Sequence, residues 1–223
     1  MTRHFDALEA RDPEVRERAL MAALPAQVGH AKARTAGFAR ILADVDPREV
    51  TSRAALARLP VTRKSELLEL QKSAPPFGGL NATAPGQLAR IFMSPGPIFD
   101  PEGRREDYWR MARPLYAAGF RAGHVIHNCF AYHFTPAGSM LEGGAIKLGC
   151  AVIPAGIGQT ELQVQAMVAL RPDGYVGTPS FLKIIVEKAL ELGADISSLE
   201  RALVSAEPFP PSLRAWLKEH GIA

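Results

Sequence analysis

The pattern of apolar and polar positions changes character about a third of the way along the chain. Up to about residue 73, apolar residues recur at the three- and four-residue spacing that is typical of amphipathic helices. Asp12-Pro13-Glu14 predicts the start of the first helix, because aspartate can cap, proline suits the first turn and glutamate favours the positive end of the helix dipole. The glycine- and proline-rich run 74–79 then ends the pattern. We therefore expect a mainly helical subdomain over residues 1–79.

From about residue 88, short apolar runs alternate with segments of helical length. The apolar runs predict strands at Leu88–Met93, Val125–Phe130, Cys150–Ile153, Gly174–Gly177 and Ala202–Ser205. The segments between and after them predict helices at Arg104–Ala118, Gly138–Leu148, Thr160–Leu170, Pro179–Leu192 and Pro211–His220. Strands separated by helices of this length indicate a parallel sheet with right-handed crossovers. The predicted class is therefore α/β: a helical N-terminal subdomain followed, over residues 80–223, by a mostly parallel and incomplete sheet with flanking helices.

Local signals refine the predicted helix starts. Thr62 is a candidate cap for a helix over 63–72, and Thr160 with Gln163 has the spacing of a capping box. Thr178-Pro179 reads as a cap followed by a first-turn proline.

Composition excludes several classes of protein. Charged residues make up 22% of the chain, with a net charge of +3 and no dense basic block, so nucleic-acid binding is not favoured. No apolar run approaches the roughly 20 residues of a membrane helix, and the first residues are polar. We therefore expect no membrane association and a cytoplasmic location. Cys129 and Cys150 lie in apolar segments, which favours buried reduced thiols while leaving a disulfide open.

The predicted sheet indicates where a ligand would bind. In parallel α/β sheets, ligands bind beyond the carboxyl ends of the strands, and loops at those ends share one edge. The loops that follow the predicted strands are Ser94–Pro97, Ala131–Thr135, Ala155–Gly158, Thr178–Ser180 and Ala206–Pro208. Their glycine-rich, partly aromatic and partly acidic composition suits an organic ligand with a flat apolar part and a polar or phosphorylated part.

Other chemistries are less favoured by the same residues. Gly156-Ile157-Gly158 is too short for a dinucleotide fingerprint. His124, His127 and His133 cluster in sequence, and strand alternation places His127 and Cys129 on one face, so a metal site is imaginable; structural histidines are favoured, and no metal site is predicted. Ser94 lacks the sequence context of a hydrolase nucleophile.

Taken together, these segments resemble the phenylacetate–coenzyme A ligase group of the adenylate-forming enzymes. The similar segments, in order, are Leu59–Leu67, Asp107–Trp109, Gly119–His124, Asn128–Thr135, Ala151–Gly156, Gln159–Glu161, Gly177–Leu182 and Val204–Pro208. Their order along the chain carries the resemblance more than any one of them.

The resemblance implies a two-step reaction and a set of co-substrates. A carboxylate, expected to be an aromatic acid, would attack the α-phosphate of ATP with Mg²⁺ to give an acyl-adenylate and pyrophosphate, and the sulfur of coenzyme A would then displace AMP to form a thioester. By this resemblance Ser94, Pro95, Gly96 and Pro97 would occupy the phosphate-loop position, and Ala206, Glu207 and Pro208 would border adenine. The acyl or aryl pocket would be formed by Tyr132, Phe134, Gly177, Thr178 and Pro179.

The sequence departs from the family at two places. Met93-Ser94-Pro95-Gly96-Pro97 replaces a loop that is typically rich in serine, threonine and glycine with a lysine, and its prolines lack N–H donors. The lid domain that carries the family's adenylating lysine is not found in these 223 residues, so no catalytic residue is assigned. We expect the amino-terminal portion of an acyl-coenzyme A ligase, inactive alone; the alternative is a degenerate, non-catalytic binding or partner protein. Its incomplete sheet predicts self-association or a partner that covers the open edge.

Overall fold

The computed structural model describes residues 3–223, which divide into two compact units. One unit spans Asp6–Arg104, and the other contains residues 3–5 and 105–223. The division falls at 104/105 rather than after residue 79, so the segment 80–104 belongs with the helical unit.

The first unit is built from four α-helices and a hairpin. The helices are α1 (Pro13–Arg34), α2 (Ala36–Ile41), α3 (Arg53–Ala57) and α4 (Lys64–Ser73), with short 3₁₀ turns at Pro47–Glu49 and Pro85–Gln87. Asp12 caps α1 as predicted, since its carboxylate accepts from the N–H groups of Glu14 and Val15. Thr62 is not the cap of α4: Arg63 holds that position, and its N–H donates to Glu66 Oε2 at 3.2 Å.

The predicted first strand does not join the parallel sheet. β1 (Arg90–Ser94) pairs antiparallel with β2 (Ile98–Glu102), and the two form a separate two-stranded sheet. The buried amide of Gln71 on α4 holds this hairpin, donating to the carbonyl of Phe99 and accepting from its N–H, both at 2.9 Å. Ser94–Pro97 is therefore at a hairpin turn, and the topological reason for placing it at the edge of the parallel sheet is removed.

The second unit is a four-stranded parallel sheet with helices on both faces. Its strands are β3 (Val125–Asn128), β4 (Ala151–Ile153), β5 (Gly174–Gly177) and β6 (Arg201–Val204), in the spatial order β4-β3-β5-β6. Its helices are α5 (Ala112–Ala117), α6 (Ala137–Leu148), α7 (Thr160–Leu170), α8 (Pro179–Glu191) and α9 (Pro211–Glu219). This arrangement confirms the predicted fold class.

Two apolar clusters cover the two faces of this sheet. Ile126 and Val176 pack with α5 and α6, whereas Tyr175 and Cys129 pack with α7, α8 and α9. Because neighbouring strand residues point to opposite faces, Tyr175 and Val176 contribute to different clusters although both are fully buried. The burial of both faces explains why the strands read as short continuous apolar runs.

The predicted helix at 104–118 forms only in its second half. Asp107 and Arg110 adopt positive φ angles of 44° and 62°, which interrupt a helix. The Asp107 carboxylate instead accepts from the N–H groups of Met111 at 2.6 Å and Ala112 at 3.2 Å, and α5 begins there.

Candidate functional site

The carboxyl ends of the four parallel strands bring four loops to one edge of the sheet. These loops follow β3 at residues 129–136, β4 at 154–159, β5 at residue 178 and β6 at 205–210. The edge therefore gathers the predicted acyl-pocket and adenine-side residues, and it is the candidate functional site.

The end of β5 is shaped by one tyrosine and one glycine. Tyr175 is fully buried, and its hydroxyl donates to the carbonyl of Thr178 at 3.0 Å. A Cβ on Gly177 would overlap the Tyr175 hydroxyl, so only glycine leaves room for this ring to reach Thr178. Burial raises the pKa of Tyr175 above its usual range, which keeps the phenol protonated as a donor.

Thr178 and Glu207 both cap the amino end of α8. Thr178 Oγ1 accepts from Phe181 N–H at 3.4 Å, as the Thr178-Pro179 pattern predicted. Glu207 Oε1 accepts from Ser180 N–H at 2.5 Å, where a carboxylate is favoured by the helix dipole. Glu207 therefore joins the loop after β6 to the start of α8. Its neighbours Ala206, with a φ of 74°, and Pro208 are exposed.

The two aromatic residues predicted for the acyl pocket lie in different environments. Tyr132 is half-buried against Gly138, where a Cβ would collide with the tyrosine ring and with the carbonyl of Ala131. Its hydroxyl accepts from Asn128 Nδ2 at 2.8 Å and contacts the Glu142 carboxylate; burial, followed by this carboxylate, raises the pKa of Tyr132 above its usual range. Phe134 is 72% exposed, in the same loop.

Asn128 is a functional candidate that the sequence interpretation missed. Its side chain is fully buried at the last position of β3. Nδ2 donates to both Tyr132 Oη and the carbonyl of Gly138, at 2.9 Å for the latter, while Oδ1 accepts from Phe130 N–H at 3.1 Å. One amide thus fixes the start of the loop after β3. The signal for Asn128 in the sequence was a polar residue at the end of an apolar run.

Gln163 is the second missed residue, because its spacing suggested a different role. Gln159 rather than Thr160 occupies the N-cap of α7, so the predicted capping box is wrong. The Gln163 side chain turns inward instead, contacting His127 on β3, Cys129 directly after β3 and the loop after β4. Its position on the same helical face as the buried Met167 was the signal for this.

The histidines and cysteines do not form a metal site. His127 is fully buried on Gln163, His133 is exposed, and His124 Nδ1 accepts from Arg121 N–H at 3.2 Å. Within residues 3–223, no group of three or more His, Cys, Asp and Glu side chains could hold a metal ion. Cys129 and Cys150 are free and buried, which confirms the predicted reduced thiols. Burial raises the pKa of Cys129 to about 12, so this thiol is not a nucleophile at neutral pH.

The hairpin turn of the first unit offers few favourable contacts to a phosphate group. The Ser94 hydroxyl lies 2.8 Å from Asp100 Oδ2 and 3.3 Å from the carbonyl of Ile98, both of which are acceptors. Pro95 and Pro97 have no N–H, and the Asp100 carboxylate would repel an anion. The turn therefore fits the phosphates of ATP poorly.

The solved structures that resemble this chain show its fold. A 2-hydroxyisobutyryl-CoA ligase in the postadenylation state, in complex with R3-HIB-AMP, superposes with a TM-score of 0.87 at 22% identity, covering 94% of this chain and 47% of that one. The same ligase with 2-HIB-AMP and CoA, in the thioesterification state, gives 0.86 at 22% identity, covering 95% and 48%. The chain has the fold of part of an adenylate-forming CoA ligase.

Sequence comparison narrows this class. The chain is 33% identical over 180 residues to the phenylacetate-coenzyme A ligase of Aromatoleum evansii and 33% identical over 186 residues to that of Thermus thermophilus. The enzyme of Escherichia coli is 34% identical over 182 residues. These matches cover 77–79% of this chain and 40–41% of the relatives, so the chain spans about 40% of their length. No protein-family profile matches. By sequence, the chain is a relative of the phenylacetate–coenzyme A ligases, which confirms the predicted resemblance.

Proposed function

We propose that this chain forms the acyl- and adenylate-facing part of an ATP-dependent aryl- or acyl-coenzyme A ligase and is inactive alone. The observation that carries the proposal is the sheet edge. The loops after β3, β4, β5 and β6 that meet there lie in the segments on which the resemblance inferred from the sequence motifs rests.

The proposed roles follow from the shape of each loop. Tyr132, Phe134 and the segment 177–179 would bound the acyl group, for which an aromatic carboxylic acid is the proposed substrate. The segment 206–208 would border adenine, with the Glu207 carboxylate held in place by α8. A solved neighbour binds an acyl-adenylate together with CoA, which supports ATP and coenzyme A as co-substrates. Mg²⁺ enters only as the ion carried by ATP, whose phosphates supply most of its ligands.

Inactivity of the chain alone is proposed because it spans about 40% of the length of the ligases that it matches and its hairpin turn would hold ATP weakly, so that ATP binding would depend on residues supplied by the remainder of a ligase. In the family, Ser94–Pro97 would face phosphate, yet here the serine hydroxyl and a neighbouring carboxylate are bonded to each other. Each missing charge-assisted hydrogen bond to phosphate costs about 1.5–3 kcal/mol, so binding of ATP by this turn would be weak.

Turnover measurements test the proposal. The purified chain would be assayed for pyrophosphate release and thioester formation with ATP, coenzyme A and a panel of aromatic acids, alone and mixed with the unmatched remainder of the Thermus thermophilus ligase. We expect no turnover by the chain alone and thioester formation in the mixture. Robust thioester formation by the chain alone would contradict its inactivity, and no turnover in the mixture would count against the ligase assignment.

A second candidate function is a non-catalytic binding or partner protein of the same fold. The Ser94–Asp100 hydrogen bond favours it, because a turn that fits the triphosphate of ATP poorly counts against adenylation and leaves ligand binding as the function of the same fold. Calorimetry separates the two functions: Mg-ATP binding by the mixture supports the ligase, whereas binding of acyl-coenzyme A without Mg-ATP supports the binding protein.

We also propose that a further strand covers β6, supplied by the rest of a ligase or by a partner chain. In the described part of the chain, β6 is the outer strand of the parallel sheet. Ala223 already pairs with it: Ala223 N–H donates to the carbonyl of Glu200 at 3.0 Å, and Ala202 N–H donates to the carbonyl of Ala223 at 3.2 Å. This hydrogen-bond pattern is that of a parallel pair. A cavity of about 160 Å³ between β6 and α9, lined by Val204, Phe209 and Leu217, could receive an apolar side chain of the added strand.

Sedimentation velocity tests whether this edge is covered. We expect the isolated chain to self-associate at micromolar concentration and the mixture with the ligase remainder to form a one-to-one complex instead. A chain that stays monomeric and does not bind the remainder of the ligase would contradict the proposed pairing.

The free buried thiols Cys129 and Cys150 support a reducing, cytoplasmic compartment. No helix of residues 3–223 is long and apolar enough to cross a membrane.

A further inference from the structure

Gln163 has an uncharged polar side chain that is buried among apolar residues. It is 4% exposed, on the face of α7 that also buries Val164 and Met167. A buried amide without partners costs several kcal/mol in an apolar surrounding, so its hydrogen bonds decide whether the position is tolerated.

The amide of Gln163 is fully engaged on both sides. Nε2 lies 3.4, 3.2 and 3.1 Å from the carbonyl oxygens of Ala155, Gly156 and Gly158. Because carbonyls only accept, the nitrogen must face them. Oε1 then accepts from His127 Nε2 at 2.5 Å and from Cys129 Sγ at 3.6 Å. One side chain therefore joins three carbonyls of the loop after β4 to β3.

The loop held by these bonds has little regular structure of its own. Gly156 and Gly158 have positive φ angles of 69° and 76°, and residues 154–159 lie between β4 and α7 without helix or strand. Gly156 N–H donates to the carbonyl of Asn128 at 3.0 Å, so the loop is also joined to the end of β3. A segment of this kind needs outside contacts to keep one conformation.

We propose that Gln163 is a positioning residue, which holds the 154–158 loop in the shape that forms one wall of the site at the sheet edge. The assignment of that wall to an acyl-adenylate rests on the proposed function. The hold on the loop does not, because it follows from the contacts of Gln163 alone. Gln163 itself is buried beneath the loop and acts through it.

Amide hydrogen exchange of the ligand-free chain tests this role. Gln163→Met keeps the length and apolar packing but removes the amide, and Gln163→Glu keeps an acceptor for His127 while an ionised carboxylate cannot donate to the carbonyls. Gln165→Met, two residues away on the exposed side of the same helix, is the matched control. We expect exchange at Gly156, whose N–H donates to the carbonyl of Asn128, to speed up about tenfold or more in both Gln163 variants, with β5 and α8 unchanged and no effect of Gln165→Met.

Two results would overturn the positioning role. If exchange accelerates equally through α7, β3 and β5, Gln163 only stabilises the core; if loop exchange is unchanged, other contacts hold the loop. Should Gln163→Met fail to fold, Gln163→Glu and the wild type decide: a Gly156 amide that is no better protected in the wild type than the exposed chain ends would contradict the proposal.

A ligand-binding measurement distinguishes a failure of this inference from a failure of the proposed function. A non-hydrolysable phenylacetyl-sulfamoyl adenosine would be titrated into the wild type and Gln163→Met by calorimetry. We expect binding to weaken about tenfold in the variant, the loss that follows when a pre-formed wall must be ordered on binding. If the loop opens but neither protein binds the analogue, the proposed function fails and the positioning role stands. If both bind it equally tightly, the loop is not a wall of the site.

Discussion

The buried side chain of His127 should make the stability of the protein depend on pH. It is fully buried, its Nε2 bonds to Gln163, and its Nδ1 has no hydrogen-bond partner in the described residues. Burial, partly offset by the hydrogen bond to Gln163, lowers the pKa of His127 below its usual value of about 6.5. The folded protein therefore favours the neutral imidazole.

This pKa predicts a pH dependence of stability. Since the unfolded chain takes up the proton first, the free energy of unfolding should be complete above about pH 6.5 and fall as pH drops below it, by at most about 1.4 kcal/mol per pH unit for one proton. Asp46 and Asp195, whose pKa values their hydrogen-bond partners lower to about 2, contribute at more acidic pH. Urea unfolding at pH 7.5, 6.5 and 5.5 measures the slope. His127→Gln should flatten it, and His133→Gln, at an exposed position, should not; equal slopes in all three proteins would contradict this.

Adding a single methyl group at Gly177 should lower the free energy of unfolding. Gly177→Ala places a Cβ against the Tyr175 hydroxyl, which must move away from Thr178 or strain the strand, so we expect a loss of about 1–3 kcal/mol of unfolding free energy. Gly143→Ala is the control: it lies inside α6 with no atom within 4 Å of its Cβ, and alanine there should stabilise by up to about 1 kcal/mol. Thermal unfolding followed by circular dichroism gives both. Equal effects at the two glycines would show that the Tyr175 contact is not limiting.

At the scale of elements, the start of α8 is held by side chains from two different segments of the chain. Thr178 caps it from its own chain segment, whereas Glu207 reaches it from the loop after β6. Because the carboxylate crosses from one strand-end loop to the next, it contributes to the shape of the sheet edge as well as to the helix.

Glu207→Ala should destabilise the protein by about 0.5–2 kcal/mol, the usual cost of losing a cap. The physical reason is that Ser180 N–H loses its acceptor at the positive end of the helix dipole. Chemical denaturation measures the change, and Glu187→Ala, which removes only an exposed ion pair with Lys183, serves as control with little expected effect. If the two substitutions cost the same, the bond from Glu207 to α8 has no particular weight.

The same scale shows what the sequence could predict. Gly174–Gly177 is a strand at the predicted bounds because buried parallel strands are short and continuously apolar, and the caps at Asp12 and Thr178 follow from local chemistry. Leu88–Met93 was predicted as a strand, but periodicity carries no information on its partner, and β1 pairs with β2. Gln163 has the spacing of a capping box, yet its side chain forms hydrogen bonds with the loop after β4 instead. The misses thus lie where tertiary contacts choose among locally acceptable structures.

At the scale of the whole molecule, the chain combines a parallel sheet edge of ligase type with a hairpin turn that opposes phosphate. The relatives are about two and a half times as long as the matched segment, and the sheet ends at β6 in the described residues. We therefore propose that this chain alone binds an acyl-adenylate and that turnover with ATP requires its combination with further residues.

The measurement that tests this claim most directly is calorimetric titration of the purified chain with phenylacetyl-sulfamoyl adenosine and, separately, with Mg-ATP. Phe134→Ala is the test variant, because a 72% exposed ring can be removed with little effect on stability, and Ile146→Ala, at a 62% exposed position on α6, is its control. We expect binding of the analogue that Phe134→Ala weakens and Ile146→Ala does not, with no detectable binding of Mg-ATP. Tight Mg-ATP binding, or analogue binding indifferent to Phe134, would contradict it.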